Sequence, residues 1–193
     1  QTQILVLQKA LSELTVADAK GRRFRVFEEE QPLRKLSQLR MIRNNANENP
    51  DWVLVCNSGR WVGYVTDESL KELPVQHWDL HSFSDHKRPL SELPSIGEKS
   101  PLWKAVIAIE KSREGRLLVF NVAGLPSGTL DRIDLGQAVL KHLGLRIPEQ
   151  LIRAARNENI YPLGIGLPQV VEGMISAGLV EANEDEFSRS LEK

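Results

Sequence analysis

Two four-residue stretches carry the side chains with the most chemistry to offer: Thr66-Asp67-Glu68-Ser69 and Asp131-Arg132-Ile133-Asp134. Each sets one oxygen-bearing side chain three residues ahead of another. That is the spacing of a helix N-cap and the residue it bonds, so Thr66 and Asp131 read as caps of the helices that follow. A second group is cationic. Lys20, Arg22, Arg23, Arg25, Arg34, Lys35, Arg40 and Arg43 stand against Glu28, Glu29 and Glu30. Such a run forms solvated faces, and its sharper use is an anion site lined by some of the arginines. A third group is imidazole: His77, His81 and His86, with Asp79 and Asp85 among them. On a helix His77 and His81 would share a face, as metal ligands do. Pro74 and Pro89 bracket the segment, so it reads as a surface linker and no metal is assigned. No histidine falls at a strand end where a Ser/His/Asp or Cys/His set would assemble, so no catalytic residue is assigned.

The chain has 193 residues, 41% hydrophobic and 26% charged, which suits one or two globular cores. A formal net charge of −1 carries no bulk attraction for nucleic acid or an acidic membrane, so no nucleic-acid partner is expected. The single cysteine, Cys56, excludes an intramolecular disulfide, fits a reducing compartment and reads as a small buried residue. No run approaches the roughly 18 apolar residues of a membrane span, and no signal peptide is visible. The four tryptophans are spread over different elements and read as core or interface residues. Gly164-Ile165-Gly166 lacks the third glycine of a dinucleotide fingerprint. The opening Gln1-Thr2-Gln3 reads as the start of a piece of a longer protein, and the stretch from Glu181 onward as an acidic tail.

The elements that position these residues follow from an internal repeat. Gly59-Arg60-Trp61-Val62-Gly63-Tyr64-Val65-Thr66 and Gly124-Leu125-Pro126-Ser127-Gly128-Thr129-Leu130-Asp131 share the pattern Gly-x-x-x-Gly-x-apolar-polar at an offset of 65 residues. Pro32-Leu33-x-Lys35 matches Pro101-Leu102-x-Lys104 at 69, and Leu11-Ser12-Glu13-Leu14 matches Leu90-Ser91-Glu92-Leu93 at 79. A falling offset is what shortened loops leave in a duplicated unit. Each copy predicts strand, helix, strand, strand, helix. The strands are 23–27, 52–55 and 61–65, then 94–97, 117–120 and the stretch around Gly128. The first helices start at Pro32 and Pro101, with Ser100 as a cap and Leu33, Leu36, Leu39 and Ile42 on one face. The second helices are 67–73 and 132–143, and Gly59 supplies a hairpin turn. Beyond Gly144 two more helices start at Pro148 and Pro168, the latter ended by Gly178.

Element order, duplication and the Gly-x-apolar-Thr ending before a helix resemble the CBS-domain pair, or Bateman module, over positions 11–143. The resemblance implies an α+β fold in which two β-α-β-β-α units pack by their sheets, here with a C-terminal helical extension. It gives 1–76 as the first CBS domain with its N-terminal helix, 77–88 as linker, 89–143 as the second domain and 144–193 as the extension. It implies a non-catalytic regulatory role, an adenine nucleotide (AMP, ADP or ATP) in the cleft between copies, and a homodimer. The segments His81-Ser82-Phe83-Ser84-Asp85-His86 and Gly164-Ile165-Gly166-Leu167-Pro168 look like the soluble C-terminal region of bacterial site-2-protease-like (M50) intramembrane zinc metallopeptidases. That implies a parent with zinc and a membrane domain, and this module on its cytoplasmic side. The zincin motif His-Glu-x-x-His is absent, so this chain is not the catalytic domain.

In ligand-binding members of the CBS family the third strand ends in Ser or Thr, followed after two residues by Asp. The hydroxyl donates to phosphate, the carboxylate accepts from both ribose hydroxyls, and the helix start faces the phosphate. This sequence divides the set. Copy one keeps the hydroxyl at Thr66 but has Ser69 in the carboxylate's place; copy two keeps Asp134 but has Asp131 in the hydroxyl's place. A carboxylate about 4 Å from a phosphate charge costs about 4 kcal/mol at an effective dielectric near 20, unless an arginine or a cation neutralises it. The expected ribose side is therefore Asp134 with Arg132, and the expected phosphate side is Thr66 with Arg23 and Arg25, together making at best a weak site.

Overall fold

The structure, a computed structural model, describes residues 2–37 and 51–181. The chain divides into two compact units, Arg23–Leu93 and Gln1–Arg22 with Pro94–Lys193. In the Arg23–Leu93 unit, β1 (Phe24–Glu28) pairs parallel with β2 (Trp52–Asn57), and β2 pairs antiparallel with β3 (Arg60–Val65). The turn between β2 and β3 is Ser58-Gly59, with φ of 50° and 83°. Two successive positive φ values make the hairpin turn whose twist matches the strands, and Gly59 meets that demand without a Cβ. The other unit repeats the arrangement with β4 (Ser95–Gly97), β5 (Arg116–Phe120) and β6 (Pro126–Asp131). Both hairpins carry a register shift at the same step, after Val55 and after Val119.

The helices are α1 (Thr2–Glu13), α2 (Val16–Ala19), α3 (Phe83–His86), α4 (Leu102–Lys111), α5 (Arg132–His142), α6 (Glu149–Glu158) and α7 (Leu167–Ser176). In α4 the spacing Leu102, Ala105, Val106, Ile109 puts four side chains on one stripe, and all four are fully buried. Pro101 is the N-cap of α4, so the helix starts one residue later than expected and Ser100 lies outside it. Residues 34–37 are helical; Leu39, Arg40, Ile42, Arg43 and the acidic residues beyond Glu181 lie outside the described residues. Among the described residues no helix is long and apolar enough to cross a membrane.

The second helix of copy one does not form. Residues 67–72 run as consecutive turns with three-residue bonds, Leu70 N to Asp67 O at 3.2 Å and Lys71 N to Glu68 O at 3.3 Å. Pro74 has no N–H to donate and disfavours helical geometry at Leu73, so only seven residues separate the cap from the stop. In copy two no proline follows the cap Asp131 until Pro148, and α5 runs its full eleven residues.

The predicted linker is core. Trp78 is 5% exposed and Phe83 is fully buried, packed with Leu33, Val53, Val55 and Val65. Phe83 also stacks on Phe27, ring centroids 4.7 Å apart. Equally, α1 leads copy one in sequence but packs in copy two's unit: Ala10 and Leu11 share a cluster with Leu102, Val119, Leu135 and Val171. Two segments 67 residues apart account for both corrections. In one unit Gly21 exchanges both backbone hydrogen bonds with Thr129 of β6, each 2.9 Å. In the other Arg88 does the same with Tyr64 of β3, at 2.8 and 2.9 Å. Lys20 pairs with Glu98 at 2.9 Å, and Lys87 with Glu29 at 2.6 Å. Thr15 and Ser82 open the segments with matching caps, each N–H donating to Asp18 and Asp85 at 2.8 and 2.9 Å. The stretch that precedes each copy therefore completes the sheet edge of the other copy.

The second glycine of the repeated pattern makes this possible. A Cβ on Gly63 would lie 2.6 Å from Arg88 O, and one on Gly128 would lie 2.5 Å from Gly21 O. Both obstacles are backbone atoms held in the pairing. The C-terminal extension is no appendage either, since Leu167, Val171, Met174 and Ile175 of α7 belong to the same core as α1 and α4.

Candidate functional site

Copy two's strand–helix junction is a closed polar cluster. Asp131 ends β6 and caps α5; its Oδ1 accepts from Asp134 N at 2.8 Å, while Asp134 Oδ2 accepts from Asp131 N at 3.1 Å. The two residues are only 5% and 8% exposed. Two buried carboxylates side by side require compensation. Arg156 of α6 supplies it: Nη2 donates to Asp134 Oδ1 at 3.2 Å, and Nε lies 3.5 Å from Asp131 Oδ2. Arg116, itself buried, stands opposite Asp131 in the β5–β6 register. From the remaining side the backbone of Gly21 crowds Asp134, and a Cβ there would lie 3.3 Å from Oδ1. Burial first, then the neighbouring Asp131 carboxylate, pushes the Asp134 carboxyl up to about 8, while Arg156 pulls the other way.

The extension is fastened at several points around this cluster. Ile152 and Ala155 of α6 pack on Ile133. Asn159 ends α6 in the left-handed region (φ 51°) and donates from Nδ2 to Glu114 O at 2.9 Å. Pro162 sits against Gly136, where a Cβ would come within 2.4 Å of its ring. Arg132 faces these groups rather than Asp134. It forks onto Glu110, Nε to Oε1 at 3.1 Å and Nη2 to Oε2 at 3.3 Å, and its guanidinium lies 5.9 Å from the centre of the Tyr161 ring. The Tyr161 hydroxyl donates to the same Glu110 Oε1 at 3.1 Å.

Copy one's junction closes on itself. Thr66 N donates to Ser69 Oγ at 2.9 Å, Ser69 N donates to Thr66 Oγ1 at 3.1 Å, and Ser69 Oγ donates to Thr66 O at 2.8 Å. The Ser69 hydroxyl is thus committed as both donor and acceptor. Arg23 and Arg25 lie at the start of β1, at the same end of the sheet as Thr66, because β3 runs antiparallel to its neighbour. Asp51 faces both guanidinium groups, 4.0 Å from Arg23 Nε and 3.6 Å from Arg25 Nε. Cys56 is half-buried rather than buried, and its thiol, held up in pKa by burial and then by Glu28, donates to Glu28 Oε1 at 3.4 Å.

Two three-stranded units of identical order, each with a helix or turn cap at the end of its last strand, can be compared with known structures as a whole. The CBS domain of a bacterial CNNM/CorC family Mg2+ transporter, solved in complex with ATP, superposes with a TM-score of 0.54 at 14% identity, over 72% of this chain and 96% of that one. The CBS-pair protein CBSX2 from Arabidopsis thaliana gives 0.54 at 18% identity, over 69% and 99%. Its complex with AMP gives 0.50 at 19% identity, over 67% and 98%. The fold is that of a CBS-domain pair. No family model and no curated protein matches the sequence.

Within this fold the residues expected to serve one ligand fall into separate groups. Asp131 and Asp134 are together, Thr66 and Ser69 are together, Arg23 and Arg25 share Asp51, and Arg132 turns to Glu110. The residue that sequence reasoning misses is Arg156. Its signal lies in Asp131 itself, since a carboxylate at that buried place requires a cation. The repeat has no copy of α6 from which to find the partner.

Proposed function

We propose that this CBS pair is a non-catalytic regulatory module that acts through protein contacts, as a homodimer and upon its parent chain, with copy two's carboxylates held by Arg156 in place of a nucleotide. The bond from Arg156 Nη2 to Asp134 Oδ1 supports this most directly. A ribose diol would have to displace that guanidinium from a buried carboxylate and compete with the cap bond from Asp131 N. Copy one has Ser69 where the ribose-binding carboxylate belongs, and Ser69 is already bonded on both sides. Any adenine nucleotide taken by this chain would bind weakly through phosphate, at Thr66 with Arg23 and Arg25.

Thermal melting with AMP, ADP and ATP tests the reading, because a ligand of the native state raises Tm by mass action. Millimolar nucleotide is expected to leave Tm unchanged, or to raise it slightly through Arg23 and Arg25 alone. A clear rise that disappears in Asp134→Asn would overturn the closed site.

For the parent, the resemblance of positions 81–86 and 164–168 to the region beside M50 zinc metallopeptidases makes a membrane zinc peptidase our proposal, with this module on its cytoplasmic side. Hydrophobic spans carrying His-Glu-x-x-His upstream of Gln1 in the reading frame would support that parent. A soluble domain there would refute it.

A further inference from the structure

We propose that His81 and His86 form a site for one divalent transition-metal ion of the zinc, nickel or copper class. His81 follows the 3-10 turn Val75–Leu80, and His86 is the last residue of α3. Their rings converge edge to edge, His81 Nδ1 to His86 Nε2 at 3.1 Å, with centroids 5.0 Å apart. Two imidazole nitrogens bound at about 2.0–2.1 Å to one tetrahedral ion stand about 3.3 Å apart, and adjacent square-planar ligands about 2.9 Å. The observed separation lies between these values, so an ion beside the N···N line can be reached by both nitrogens once each ring turns by about 35–45°.

The backbone holds the pair in place. Leu33 N donates to His81 O at 2.9 Å, Phe83 is fully buried, and Arg88 is paired with Tyr64 two residues past His86. Asp85 adds negative charge beside the pair, its Oδ2 4.0 Å from His81 Nδ1 and accepting from Ser82 N at 2.9 Å. Without metal, one imidazole N–H donates to the other ring. Binding asks that ring to change tautomer, releasing the shared proton and taking one at its other nitrogen, and both rings to turn toward the ion. His77 is exposed and belongs to the preceding turn. Among the described residues no group of three or more His, Cys, Asp and Glu converges on a metal position. The site therefore offers two protein nitrogens, and water completes the shell.

Tag-free protein, stripped with chelator, is titrated calorimetrically with nickel, zinc and copper chloride and melted with and without metal. One ion per chain and a Tm rise of about 2–5 °C at tenfold excess over Kd are expected. Both should vanish in His81→Asn and in His86→Asn and persist in His77→Ala. Melting the variants in chelator checks that they remain folded, which is expected since both imidazoles are only half-buried on a segment anchored by Phe83. No heat and no shift in the wild type, or binding that survives in the double variant, overturns the proposal.

Discussion

Arg156 and Asp134 meet through one guanidinium–carboxylate bond, Nη2 to Oδ1 at 3.2 Å, and that bond joins the C-terminal extension to the last strand–helix junction of copy two. Arg156→Ala leaves the buried Asp131–Asp134 pair with Arg116 as the cation opposite in register. We expect a loss of about 3 kcal/mol, the lower end of what breaking a buried pair costs, read from urea unfolding. Asp134→Asn in the Arg156→Ala background should recover part of that loss. Strict additivity of the two substitutions would show that the bond carries no coupling.

The raised carboxyl of Asp134 predicts an unusual pH dependence. Its folded pKa, about 8, stands above the ordinary value of 3.8, so between those values the folded chain keeps a proton that the unfolded chain has lost. The stability from this group is complete below about pH 4 and falls as pH rises through about 8, by at most about 1.4 kcal/mol per pH unit. Glu29, Glu92 and Glu98 have lowered pKa values through Lys87, Arg88 and Lys20 respectively, and they work in the opposite sense, losing their contribution as pH drops below about 4.5. Urea midpoints at pH 5.5, 7 and 8 should therefore decline. Asp134→Asn should flatten the series, and an unchanged decline in that variant would rule Asp134 out as its source.

Three glycines separate packing from propensity. Gly63→Ala and Gly128→Ala place a Cβ against backbone oxygens that are themselves paired, and each should cost about 1–3 kcal/mol. Gly173 lies inside α7 with nothing within 4 Å of a Cβ. Gly173→Ala should stabilise by about 0.8–1 kcal/mol, the helix propensity difference. Equal effects at all three positions would remove the close-approach argument.

Fragment boundaries give a further check. A polypeptide of residues 1–76 lacks Phe83 and the Arg88 pairing, while 23–93 contains both. In urea, circular dichroism should show a cooperative transition for 23–93 and none for 1–76. A cooperative 1–76 would restore the simpler division of the chain.

Much of the architecture is legible in the sequence because it rests on local signals. Alternating and β-branched residues mark β1, the Leu102–Ile109 spacing marks α4, and the two Gly-x-x-x-Gly patterns locate both hairpins. What local reasoning misses is non-local. The role of Gly63 and Gly128 depends on Arg88 and Gly21, which lie far away in sequence. Segment 77–88 looks like a linker because prolines bracket it, yet Trp78 and Phe83 find their cavity in copy one. At the candidate site Asp134 is identifiable by its place in the repeat, but the state of its carboxylate is set by Arg156, which no repeat predicts.

The exchanged segments also impose an order on synthesis. As the chain leaves the ribosome, Arg23–Leu93 acquires its own edge pairing once residue 88 has emerged. The first 22 residues have no such early partner. Gly21 must wait for Thr129, and Ala10 and Leu11 must wait for Val171, before their apolar surface is covered. Residues 2–22, made before both copies, are thus among the last parts of this module to settle. During that interval its exposed helix is the segment most open to chaperones, to proteases and to mispairing with a neighbouring chain.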